Sequence, residues 1–152
     1  MTYASIPAPH FTLIETSKAG DPAIVVVNSA LRDYRDRDIL PWHLVLTIQC
    51  EFLGANGMPT SDEVKALDQL EDEISPRVVA NQNAAFLARV TCQGRRELIY
   101  RVRDPKAADQ ILSDLVSKSD ALREWEYRME HDDTWTLAQP ELRLLECDPQ
   151  FD

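Results

Sequence analysis

Between Trp42 and Phe52 the apolar side chains fall on every second position. Trp42, Leu44, Leu46, Ile48, Cys50 and Phe52 take one phase and His43, Thr47, Gln49 and Glu51 the other, with Val45 breaking the polar side. A period of two is the spacing of a β-strand that lays one face on a core. The rest of the chain has to supply that core, and its patterning does so. Phe86, Ala88, Val90 and Cys92 alternate with Leu87, Arg89 and Thr91, and after Gln93-Gly94 the phase resumes through Leu98, Tyr100 and Val102, so a hairpin turns at Gly94. Trp125, Tyr127 and Met129 alternate with Glu124, Glu126, Arg128 and Glu130 in a fourth strand.

Two helices fit between these strands. Thr60 followed by Glu63 has capping-box spacing, and Val64, Leu67, Leu70, Ile74 and Val78 form a stripe until Ser75-Pro76 ends or kinks the helix. Asp104-Pro105 reads as an N-cap and first helical proline, followed by Ala108, Ile111, Leu112, Leu115 and Val116 at helical spacing to about Ser119. Upstream, Phe11 to Ile14 and Ile24 to Val27 flank a turn at Lys18 to Pro22 and predict a hairpin. The run Ala23 to Val27 is apolar on both phases and predicts a strand covered on both sides. The mixed charge run Arg32 to Asp38 reads as a solvated loop or short exposed helix.

Strand, helix, strand, strand, helix, strand is the order of an α+β, ferredoxin-like βαββαβ sandwich. The predicted division is one domain over 1–152, with an N-terminal hairpin over 8–31, the sandwich over 40–131 and a C-terminal tail over 132–152. In that arrangement the second and fourth strands are edges and the first lies beside the fourth. The face away from the helices then runs from acidic, at Glu124, Glu126 and Glu130, to basic, at Arg89, Arg101 and Arg103. Val45, Leu87 and Ile99 leave apolar area there for the hairpin, the tail or a second copy to cover.

Charge narrows the functional classes. With 26 acidic against 16 basic residues the net charge is −10, which disfavours direct contact with nucleic acid or an anionic membrane and favours a basic partner. Cys50, Cys92 and Cys147 make no C-x-x-C pair, and Met1 to Phe11 has no targeting pattern, so a reducing, cytoplasmic setting is expected. Four glycines cannot build a phosphate loop or dinucleotide fingerprint. His131-Asp132-Asp133 has metal-ligand chemistry without ligand spacing, so a turn held by Asx-type hydrogen bonds, with Trp135 on the core, is preferred. No cofactor or metal is expected.

Several motifs in order carry a resemblance: Pro41-Trp42, Asn56-Gly57-Met58-Pro59-Thr60 before the helix with Leu70-Glu71-Asp72, the hairpin Thr91 to Tyr100, and an Asp-x-x-Trp near the end. From about Leu40 to Trp135 the chain resembles the bacterial family catalogued as domain of unknown function 695, although that family often has proline where Asp133 stands. The family is similar in architecture to the small acidic regulators that inhibit ribonuclease E, and the resemblance implies a non-catalytic binder. The expected function is an acidic regulatory or interaction domain, monomer or homodimer, that docks a basic protein such as a nucleic-acid-processing enzyme. Asp68, Glu71, Asp72, Glu73, Glu124 and Glu126 would carry that contact. The alternative is a small hydrolase or ligand-binding enzyme using His43 or His131 with a carboxylate, which requires a concave pocket holding a histidine and a perturbed carboxyl group.

Overall fold

A computed structural model describes residues 6–118 and 121–146. Six strands, β1 (Phe11–Lys18), β2 (Asp21–Asn28), β3 (Trp42–Gln49), β4 (Ala84–Cys92), β5 (Arg95–Val102) and β6 (Trp125–His131), join in one antiparallel sheet of order β1-β2-β4-β5-β3-β6. Helices α1 (Ser61–Val78) and α2 (Pro105–Val116) follow β3 and β5, and α3 (Gln139–Leu142) sits in the tail among short 3₁₀ turns. Cys147 and Ser119 lie outside the described residues, and α2 ends at Val116. Among the described residues no helix is long and apolar enough to cross a membrane.

Local sequence sets the punctuation. Both hairpins turn on two residues with positive φ, Ala19-Gly20 and Gln93-Gly94, the twist that suits a right-handed pair of strands. Thr60 caps α1 by accepting the Glu63 amide at 3.3 Å, and Asp104 caps α2 by accepting the Lys106 amide at 3.0 Å. Pro76 does not end α1. It lies in the last turn, and the helix runs on to Val78.

The middle of the sheet is buried on both faces, by different elements. On one, Leu44, Leu46, Ile48, Leu98, Tyr100 and Val102 pack against Leu67, Leu70 and Ile74 of α1 and Ala108 and Leu112 of α2. On the other, Val25, Val27, Val45, Ala88, Val90 and Ile99 pack against Leu31 and Leu40 and against the tail through Trp135, Ala138, Leu142 and Leu144. The tail is therefore what covers the apolar area that Val45, Leu87 and Ile99 leave away from the helices. The hairpin instead lengthens the sheet, so β4 pairs with β2 and is not an edge; the edges are β1 and β6.

Two expectations about facing are corrected. A bulge between Phe86 and Ala88 shifts the phase of β4, so Phe86 packs on the helix side while Ala88, Val90 and Cys92 face the tail. Arg89 is thereby turned toward α1. The run Ala23 to Val27 is covered on one side only, because Ala23, Val25 and Val27 are buried whereas Ile24 is 37% exposed.

Candidate functional site

The strongest polar constellation lies under the tail. Arg101 of β5 has no solvent exposure, yet its guanidinium is fully engaged. It donates to the Asp132 carboxylate at 2.9 Å, to the Asp132 carbonyl at 2.5 Å, to the Leu40 carbonyl at 3.1 and 3.3 Å, and to His43 Nδ1 at 3.1 Å. It also lies 4.5 Å from the centroid of the Trp135 ring. Asp132 in turn accepts the amides of Thr136 and Leu137 at 3.2 and 2.9 Å, the Asx-type turn expected there, and Trp135 Nε1 donates to Arg37 and Leu40 carbonyls. Burial would raise the Asp132 carboxyl, but the Leu137 amide and the Arg101 guanidinium outweigh it and hold it below the usual carboxylate range. The knot bolts the tail to the sheet.

A cavity of about 200 Å³ opens beside it, lined by Lys18, His43, Glu97, Arg128, Glu130 and Glu141. It holds a histidine and a perturbed carboxyl group, the pair an enzyme reading requires, but the histidine is engaged. Burial, aided by the Arg101 charge, lowers His43 to about 4, and because arginine only donates, the lone pair at Nδ1 is occupied. The neutral ring keeps its proton on Nε2 and has no free site with which to act as a base. Glu141 is pushed up to about 7 by burial, and its Oε2 is buried without a hydrogen-bond partner. No serine, threonine or cysteine lines this cavity. His131 is exposed, stacks edge-on against Trp42 and pairs in register with it, on the opposite side of the sheet from His43.

The expected acidic contact is divided by the fold. Glu71 is buried and accepts two donors of Arg89, at Nε over 2.8 Å and at a terminal nitrogen, while Arg96 donates to Glu71 at 3.2 Å and to Asp68 at 2.7 Å. These pairs fasten α1 to the sheet. Asp72 and Glu73 are exposed on α1, whereas Glu124 and Glu126, with Glu130, are exposed on the side of β6 away from the helices. The six residues do not form one surface. Glu124 and Glu126 do share a groove of about 770 Å³ with Thr47, Gln49, Val116 and Trp125. Neither Arg89 nor Arg101 is free to hold an anion.

A model of the family described as Family of unknown function (DUF695) matches residues 13–138. The chain belongs to that family. The match takes in most of β1 as well as the turn around Trp135, so the buried knot and the edge strand β6 both lie in the DUF695 region. No curated protein and no solved structure matches the chain.

Besides Glu71 with Arg96, sequence reasoning missed two buried pairs of this DUF695 chain. One is Arg101 with Asp132; the other is Glu63, which has no exposure, accepts the Glu51 amide at 2.7 Å and pairs with Arg123 at 2.6 and 2.8 Å. The available signals were an arginine flanked by Tyr100 and Val102 in a strand, and an aspartate three residues before a tryptophan. Cys50 and Cys92 are free, and burial pushes both thiols up, away from nucleophilic character.

Proposed function

We propose that this chain is a non-catalytic acidic interaction domain that binds a basic protein partner. The observation carrying the reading is Glu126 and Glu130 on an edge strand and Glu124 just before it, three acidic residues to one basic residue, Arg128, on that face, exposed and, among the described residues, outside every ion pair, in a chain of net charge −10. Unpaired carboxylates in a row raise the local potential for a cationic surface and accelerate its arrival. Asp72 and Glu73 extend the negative field on the far side of the sheet, while Asp68 and Glu71 have the structural duty described above. A ferredoxin-like core belongs to the same reading. The order β4-β5-β3-β6, antiparallel throughout with α1 and α2 on one face, is what supports it. A partner that processes nucleic acid fits the charge, since such proteins carry basic surfaces.

The test is retention of proteins from lysate of the source organism on the immobilised chain at low and at moderate salt. Wild type should hold a basic protein that moderate salt releases, and Glu124→Lys/Glu126→Lys should lose it. Equal retention by that variant would sink the reading.

A further inference from the structure

Resting on that reading, we infer that the partner binds as an extended segment added to the outer edge of β6, with charges in the order basic, acidic, basic opposite Glu126, Arg128 and Glu130. Among the described residues β6 pairs only with β3. Asp132 donates to the Pro41 carbonyl at 2.7 Å and Gln49 donates to the Glu124 carbonyl at 2.9 Å, which fixes the ladder phase. Even-numbered residues of β6 spend their backbone groups on β3, and Trp125, Tyr127 and Met129 turn theirs outward. An incoming antiparallel strand would bond those three residues. Glu126, Arg128 and Glu130 would then occupy the non-hydrogen-bonded positions, where facing side chains come closest and charge matching counts most.

The same charges favour such a segment over a second copy. A two-fold pairing centred on Arg128 sets Arg128 against Arg128 and Glu126 against Glu130; one centred on Tyr127 matches Glu126 with Arg128 but leaves Glu124 against Glu130, and one centred on Met129 matches Arg128 with Glu130 but leaves Glu126 against Asp132. A basic-acidic-basic segment meets an opposite charge at all three positions. Its alternate side chains would fall on the helix side of the edge. There stand Val116, 46% exposed, and Trp125, both lining residues of the groove described above. This is strand addition, with backbone bonds giving affinity and the alternate side chains giving selection.

The probe is a short synthetic peptide carrying Lys-Thr-Glu-Val-Lys, compared with its charge-reversed form Glu-Thr-Lys-Val-Glu, on the full chain at low salt. The first should bind at least about tenfold more tightly, and Glu126→Lys/Arg128→Glu/Glu130→Lys should invert the preference. Binding should slow hydrogen exchange at the Tyr127 and Met129 amides. Met129→Pro, which removes an outward N–H and no bond to β3, should abolish it; should that variant fail to fold, the exchange measurement on wild type decides. Peptide binding without protection of those amides, or equal affinity for both peptides, overturns strand addition and leaves the acidic-domain reading standing. So does absence of peptide binding while a basic lysate protein is still retained in a Glu126-dependent way. Loss of both overturns both.

Discussion

At the scale of single residues, Arg101 separates what stabilises this chain from what it recognises. A fully buried guanidinium is tolerated because the Asp132 carboxylate and carbonyl, the Leu40 carbonyl and His43 Nδ1 surround it. Asp132→Ala leaves the charge uncompensated and should cost about 3 to 5 kcal/mol, read as a lower urea midpoint, with peptide binding at β6 preserved at temperatures where the variant is folded. Two neighbours of the knot predict opposed pH slopes. His43, lowered to about 4, binds a proton in the unfolded chain before it does in the folded one. It therefore removes stability as pH falls from about 6.5 toward 4. Glu141, raised to about 7, keeps its proton longer in the folded chain and removes stability as pH rises from about 4.3 toward 7. The two oppose each other in the overlap. Glu141→Gln should unmask the histidine, so that the melting temperature climbs more steeply between pH 4 and 6.5 than in wild type; a flatter profile would refute the assignment.

At the scale of elements, the start of α1 shows how much local pattern reveals. Thr60 and Glu63 announce the helix start, and Thr60 caps it, but the Glu63 carboxylate does not complete the box. It turns instead to the Glu51 amide and to Arg123, which lies 60 residues away in sequence. Thr60→Ala should therefore cost about 1 kcal/mol, and Arg123→Ala about 3 kcal/mol, because it strands a buried carboxylate. The ratio of the two, from paired denaturant titrations, checks the hierarchy. Helix starts and hairpin turns are legible because their chemistry is local. The Glu63 partner and the bulge at Leu87 are not, since a bulge leaves the alternation of Phe86, Ala88 and Val90 intact in the sequence while reversing which face it serves. Glu71 was obscured in the same way. Its neighbours Asp72 and Glu73 are solvated, and only the shifted phase of β4 brings Arg89 beneath it. Glu71→Lys should accordingly lower thermal stability without changing salt-dependent partner retention measured below its melting transition.

At the scale of the molecule, the sheet separates two cores built from distant parts of the chain. The helix-side core was readable from periodicity, since α1 and α2 carry stripes that match β3 and β5. The second core was not, because the described part of the tail, up to Glu146, has no long amphipathic element: α3 spans four residues, and its apolar groups are scattered among turns. What binds it is Trp135, without exposure and with a positive backbone φ of 60° that only surrounding contacts would hold. Its ring meets Arg101 and Arg37 and its indole N–H meets two carbonyls. Trp135→Ala should cost about 3 to 5 kcal/mol, which at about 2 to 4 °C per kcal/mol for a chain of this size is a fall in Tm of the order of 10 °C. Deleting the tail from Asp132 onward goes further, because it uncovers Val45, Ala88, Val90 and Ile99 together. That product should keep strand and helix signals in far-ultraviolet circular dichroism while binding a hydrophobic dye, the signature of lost packing beneath retained secondary structure. A truncated chain that melts cooperatively without dye binding would mean that the helix-side core suffices alone, and that the buried Arg101 knot serves a purpose other than holding the tail.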